Sequence, residues 1–406
     1  MRILVCPHEM VMGGSQINAI EFASKIKNHG HEAVIYAPSG ILVDYARSLG
    51  LQVIESPDAS SKLELKWMLG LMKIVKNHQI DLIHTYEWGP STAAMFSAHL
   101  LQATPMLMTV LSMEVPEFLP THIPIVVGTK ELYEKQIEKR PAVLMEPVID
   151  LTINYPQDQA QARKSLEIAM DDFVVSIVCR LTTELEKAQG VLRAIAVAGE
   201  LAARIPMRLI IAGDGPILAE VTDQANAINK QVGREVVIIT GNLTDPSPVY
   251  ACSDVSVGMG SSAIKGMAFG KPLIVQGAGG YWKLLTQETY PEFLDHGWYG
   301  KNGGGDDDLK RSLVALAKSP QYIHELGLFG RQIVESRYNI ESAAIELANL
   351  YNQTRSCSSV QTLRSFKSLK SIAISTMRIT KYKSVVLTRR AFNKLKRLSG
   401  LKSDSP

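Results

Sequence analysis

The feature that most constrains this chain is a local pattern that occurs twice. A short apolar strand runs into a glycine-bearing loop, and the loop runs into a helix. Ile3–Cys6 leads to Gly13-Gly14-Ser15 and then to a helical stretch with Ile17, Ile20, Phe22 and Ile26 near helical spacing, stopped by Gly30. Further strands are expected at Ala33–Tyr36, Ile80–His84, Met106–Leu111 and Ile125–Val127, with an alanine-rich helix from Ser91. The pattern restarts at Phe173–Val178, apolar at every position but Ser176 and of the kind buried on both faces of a parallel sheet. A helix over Val191–Ala203 follows, then strands at Met207–Ala212, Val236–Thr240, Asp254–Val257 and Leu273–Val275. Short strands alternating with helices predict parallel sheets wrapped by helices.

The 406 residues suffice for two such units. A linker is expected at Glu146–Gln157, bracketed by Pro147 and Pro156, and a helix near Ile340–Tyr351 closes the folded body. The boundaries follow as 1–152 with 338–354 crossing back, 153–337, and a tail from 355 to 406. That tail holds 13 Lys/Arg against one acid, Asp404, which leaves 30 basic and 39 acidic residues in 1–354. No apolar run approaches the roughly 20 residues of a membrane span, and at the N-terminus Ile3–Cys6 reads as a buried strand rather than part of a signal peptide. The cysteines, Cys6, Cys179, Cys252 and Cys357, fit no metal spacing and suit a reducing compartment.

The loops carry the chemistry. In Tyr250–Val275, Gly258 and Gly260 allow a tight turn, Ser261 and Ser262 can cap the next helix, and its free N–H groups suit a phosphate. Gly13-Gly14 offers a second such helix start. Arg180 and Lys187, after Phe173–Val178, are cations suited to a leaving diphosphate. Gly213 lies in a Gly-Asp-Gly-Pro turn, and Gly241-Asn242 follows the next strand. His84 and Glu87 end a strand of the first unit, where ligands of open α/β sheets bind; a hydrogen-bonded His84 and a solvated Glu87 is the structural alternative.

Taken in order, Gly13-Gly14, Asp81-Leu-Ile-His84, Arg180-Leu181…Lys187, Gly213-Asp-Gly-Pro216 and Tyr250…Lys265 resemble the retaining family 4 glycosyltransferases (glycosyl transferases group 1). The resemblance spans about 1–354 and implies the α/β GT-B fold: two Rossmann-like parallel-sheet domains facing across a cleft, here with a basic tail added. It implies a hexosyltransferase-like enzyme needing neither metal nor cofactor, with a nucleotide-diphosphate sugar as donor substrate. Arg180 and Lys187 would act on the leaving group. Gly13, Gly14, Gly213, Gly241, Asn242, Gly260, Ser261, Ser262 and Lys265 would bind the donor, and His84 and Glu87 the acceptor. The sequence departs from the family at three places: Val257 and Lys265 stand where it carries a pair of glutamates, and Leu111 where it carries a histidine. A degenerate, non-catalytic scaffold protein is the alternative, and a nucleotide-sugar epimerase a more distant one.

On a helical wheel from Leu387 to Leu401, five apolar residues oppose Arg389, Arg390, Lys396 and Arg397. A basic amphipathic helix implies docking to an anionic membrane through 355–402. That places the protein in the cytoplasm, peripheral at the inner face of the membrane, with a glycan or lipid-linked acceptor of the kind used in cell-surface polysaccharide assembly. Phe366, Tyr382 and Phe392 are too sparse to stack nucleic acid, so none is expected as a partner.

Overall fold

A computed structural model of the chain describes residues 1–57, 64–357 and 368–382. Two sheets organise it. The first holds β1 (Arg2–Cys6), β2 (Glu32–Ala37), β3 (Gln52–Glu55), β4 (Leu82–Tyr86), β5 (Met106–Val110), β6 (Ile125–Val127) and β7 (Ala142–Leu144), in the order β3-β2-β1-β4-β5-β6-β7, all parallel. The second holds β8 (Phe173–Val178), β9 (Met207–Ala212), β10 (Val237–Gly241), β11 (Val255–Gly258), β12 (Leu273–Gln276) and β13 (Trp282–Leu284), in the order β10-β9-β8-β11-β12-β13. Only the β12–β13 pair is antiparallel. This is the expected α/β architecture of two parallel-sheet units.

Strand periodicity explains why both faces of each sheet are covered. On β1, Leu4 and Cys6 join one core while Ile3 and Val5 join the opposite one. On β8, Phe173, Val175 and Ile177 face one core and Val174 the other. A strand that is apolar on both faces sits between two layers of helix.

Each sheet has one point where the connections diverge, between β1 and β4 in the first and between β8 and β11 in the second. Crevices at the carboxyl ends of strands open at such points. The loops after these four strands carry Gly13-Gly14, Glu87, Arg180 and Gly260-Ser261.

Two chain crossings join the sheets, and they pair with each other. Ile149 N–H donates to Tyr338 O (2.7 Å) and Ile340 N–H to Ile149 O (3.1 Å). Lys25 of the first helix (Gly14–Lys25) bridges both crossings, to Asp150 at 2.9 Å and Glu341 at 2.7 Å. The Ile340–Cys357 helix then packs Ile340, Ala344, Leu347 and Tyr351 into the core of the first sheet.

Buried Arg163, on the Gln159–Ser165 helix, fastens the second sheet. Its Nε–H donates to Cys252 O at 3.0 Å and its Nη2 meets the Asp254 carboxylate at 2.8 Å. Asp254 also accepts the Val174 N–H at 2.8 Å. Asp254 is therefore an anchor for β8.

Of the tail, residues 368–382 form a helix that docks on the first sheet's outer layer. Ile372 and Ile379 are buried in its core, Ser371 Oγ accepts the Thr121 N–H at 2.8 Å, and Arg378 donates to Glu117 O at 2.7 Å. The 387–401 wheel lies outside the described residues. Among those described, no helix is long and apolar enough to cross a membrane.

Candidate active site

The loops after β8, β9 and β10 are joined edge to edge by backbone hydrogen bonds. Cys179 N–H donates to Ala212 O (3.0 Å), Leu181 N–H to Asp214 O (2.9 Å) and Gly213 N–H to Gly241 O (2.8 Å). A Cβ on Gly213 would stand 1.9 Å from Cys179 O, and one on Gly215 would stand 2.1 Å from Leu181 O. Both glycines are required by the neighbouring backbone, whatever ligand they border. Together they fix the chain on either side of Arg180.

Arg180 is exposed, and Lys187 is half-buried at the start of the Lys187–Leu201 helix. Among the described residues neither side chain has a hydrogen-bond or ion-pair partner. Lys187 lies close enough to act on the neighbour of Arg180: burial pushes the Cys179 thiol up to about 11 and the Lys187 charge pulls against that rise. Two unpaired cations beside one loop suit a diphosphate. Gly190 serves packing, because a Cβ there would meet the Gln276 amide at 1.7 Å, and that amide donates to Lys187 O at 3.3 Å. Gly241 has a left-handed φ of 70° and turns the chain into exposed Asn242 at the far side of these loops.

The first helix meets the helix that follows β11 end-on. Gly13 is its extended N-cap, and a Cβ on Gly14 would lie 3.0 Å from Ser261 Oγ. Ser261 sits in the first turn of the Gly260–Ala268 helix. Two helix N-termini therefore abut, each carrying unsatisfied N–H groups and a partial positive charge. Neither serine is the N-cap, which is Met259; Ser262 Oγ accepts from Met259 N–H (3.3 Å) and donates to Met259 O (2.9 Å). Ser261 alone is left to face Gly14.

Lys265 faces a protein carboxylate. Burial raises the Glu21 carboxyl, and the Lys265 charge is the largest influence lowering it again. Glu21, on the first helix, also accepts the Tyr45 hydroxyl at 3.2 Å. Val257 is 1% exposed inside the second core, so no side chain from that position reaches the loops.

In the first unit the structure separates the two expected acceptor residues. His84 is 1% exposed, with Nδ1 2.7 Å from the Tyr351 hydroxyl and Nε2 2.6 Å from Thr109 Oγ1. Both ring nitrogens are occupied internally, so the hydrogen-bonded alternative describes His84 and an acceptor contact does not. Glu87 is not the solvated residue of that alternative. It is 4% exposed, and its carboxylate binds Ser15, Leu111 and Ser112. The sequence had offered no sign of the contacts of Glu21, Ser15 or Ser112, each of which reaches a residue distant along the chain.

The buried His84 has a pH consequence. Burial lowers its ring from 6.5 to about 3. The folded state thus binds fewer protons than the unfolded state below the unfolded value. The stability tied to neutral His84 is complete above 6.5 and is lost as pH falls toward 3, at about 1.4 kcal/mol per unit. Burial shifts His99 the same way and takes His122 to about 4. Urea unfolding is expected to show a loss of at least about 2 kcal/mol between about pH 7 and pH 5. A flat profile over that range would contradict a buried neutral ring.

Comparison with known proteins agrees with this architecture. Residues 172–315, the second sheet and its helices, match the family model for glycosyl transferases group 1. An uncharacterized glycosyltransferase of Methanocaldococcus jannaschii is 21% identical over 391 residues, covering 84% of this chain and 94% of that protein. A glycosyltransferase of Rickettsia africae superposes with a TM-score of 0.69 at 16% identity, over 87% of this chain and 98% of its own. Anabaena HepE, solved in complex with UDP and glucose, gives 0.67 at 14% identity, over 87% of this chain and 100% of its own. The fold is that of the GT-B glycosyltransferases. The match over residues 172–315 and the Methanocaldococcus relative support a transferase of the group 1 kind.

Proposed function

We propose that this enzyme moves a sugar from a nucleoside-diphosphate donor to an acceptor hydroxyl, with the donor diphosphate between the two abutting helix N-termini and beside Arg180 and Lys187. The observation that carries the reading is the meeting of Gly14 with Ser261 at the end of β11, the strand paired with β8, whose following segment carries two cations that have no protein partner among the described residues. In the reaction the bond from the sugar anomeric carbon to the β-phosphate oxygen breaks. A bond from the acceptor oxygen forms, and the acceptor proton leaves with the diphosphate. Charge develops on the departing oxygens, where a guanidinium, an ammonium and helix N–H groups stabilise it. Retention of configuration and independence from metal belong to this reading through the family resemblance. HepE, with UDP and glucose bound, supports a nucleotide-sugar donor.

The test is thermal stabilisation by UDP, GDP, ADP and CMP and their sugars without added metal. A rise with one nucleotide identifies the base. No response to any of them would end the reading.

The acceptor side of the proposal is a membrane-proximal or lipid-linked glycan. On the 368–382 helix, Leu369 and Met377 point outward and are 50% and 66% exposed, with Lys370 also on the exposed surface. Together with the basic composition of the tail, this favours an anionic bilayer. The full chain is expected to co-float with phosphatidylglycerol vesicles and to be released as salt rises. Equal recovery on neutral phosphatidylcholine vesicles would remove the electrostatic basis.

A further inference from the structure

Glu87 holds a conformation, φ 66° and ψ 175°, that costs a non-glycine residue about 1–3 kcal/mol. It stands at the carboxyl end of β4, beside the point where the first sheet's connections diverge. The surrounding structure fixes it: its N–H donates to Thr109 O at 2.8 Å, and its own carbonyl accepts the Ser91 hydroxyl at 2.6 Å. The strain aims the carboxylate at three donors from two other segments. Oε1 accepts the Ser15 hydroxyl (3.1 Å) and the Leu111 N–H (3.0 Å), and Oε2 accepts the Ser112 hydroxyl (2.5 Å). Glu87 lies behind, while Ser112 is exposed and Ser15 half-buried.

A serine hydroxyl has one proton and two lone pairs. In Ser15 and Ser112 the proton is committed to Glu87. Toward solvent these hydroxyls therefore offer lone pairs only, with a carboxylate behind them. A ligand group that meets them must bring its own hydrogen, as an alcohol O–H or an amide N–H does. A phosphate or carboxylate would set lone pairs against lone pairs and negative charge against Glu87. The neighbouring helix N–H groups can serve an anion; these two hydroxyls cannot.

We propose that Glu87, Ser15 and Ser112 form the acceptor-side subsite and that it selects a neutral hydroxyl- or acetamido-bearing sugar against a phosphorylated or carboxylated one. Glu87 is the positioning residue, acting through the two serines. The assignment to the acceptor side rests on the transfer reading above.

Ligand-observed NMR with methyl glucoside, methyl N-acetylglucosaminide, glucose 6-phosphate and glucuronate tests the subsite. Wild type is expected to bind the neutral pair and to discriminate against the anions. Ser112→Ala and Glu87→Gln should weaken neutral-sugar binding about tenfold, the effect of losing hydrogen bonds to a charged group. Glu87→Gln should also narrow the preference over glucose 6-phosphate, which a purely structural defect would not do. Glu87→Gly suits the backbone, so it should melt above Glu87→Ala while binding as poorly, which separates folding from recognition. Stronger binding of the anionic sugars to wild type overturns the proposal, as does neutral-sugar binding indifferent to Glu87→Gln and Ser112→Ala. If no sugar binds while the nucleotide still stabilises the protein, the subsite is wrong and the transfer reading stands. If neither binds, both fall.

Discussion

Arg180→Ala should lose the thermal stabilisation that a nucleoside diphosphate gives the wild type, and should slow transfer by about 10²–10³-fold. The size of the effect follows from placement. The guanidinium has no protein partner among the described residues, so nothing is left to replace it. Its backbone is held by Leu181 N–H on Asp214 O and by glycines with no room for a Cβ, so the guanidinium starts from a fixed point. Lys187→Ala should weaken binding in the same direction. The double variant should lose less than the sum of the two, because both cations neutralise one ligand. Arg180→Lys should recover only part of the response, since an ammonium keeps the charge without the planar fork. Thermal shift and donor hydrolysis measure these effects. A wild-type response in Arg180→Ala would exclude Arg180 from the donor site.

Arg163→Ala is expected to cost about 3–5 kcal/mol of stability, the range for breaking a buried ion pair from one side. Arg163 is 4% exposed, and with it go the hydrogen bonds to Cys252 O and Met170 O as well as the Asp254 contact. Asp254 would keep the Val174 N–H and the Gln159 amide at 3.1 Å as hydrogen-bond donors, with the Lys271 charge acting on it without a hydrogen bond. Guanidinium unfolding of the variant checks the figure. A loss below about 1 kcal/mol would show that water reaches Asp254 and screens it. Replacing both partners by apolar residues of similar volume should recover most of the loss.

What could be read in the sequence tracks how local each signal is. Ile125–Val127, Phe173–Val178 and Met207–Ala212 have the expected bounds because each is a mainly apolar run, interrupted only by Ser176 and Arg208, closed by a turn or a polar residue. Gly30 stops its helix with a left-handed φ of 77°, as a helix-ending glycine should. The strand expected at Ile80–His84 lies instead at Leu82–Tyr86. Asp81 is drawn out of it by accepting the Arg2 N–H at 2.8 Å, a partner 79 residues away. Gln52–Glu55 and Ala142–Leu144 were not anticipated as strands: each lies at an edge of the first sheet, and such short runs resemble loops until a neighbour pairs with them. The site divides the same way. Glycine loops and cations show in the chain as words. The roles of His84 and Glu87 depend on Tyr351, Ser15 and Ser112, and no window of sequence contains those pairings.

The His84–Tyr351 hydrogen bond spans 267 residues, and the helix that carries Tyr351 completes the core of the first sheet. A ribosome delivers β1 through β7 long before it delivers that helix. The first sheet thus emerges with one flank uncovered and stays so while the whole second unit is made and folds beside it. For this chain the order of manufacture is not the order of completion. The unit begun first is finished last, and a chain broken off before residue 340 leaves that flank open.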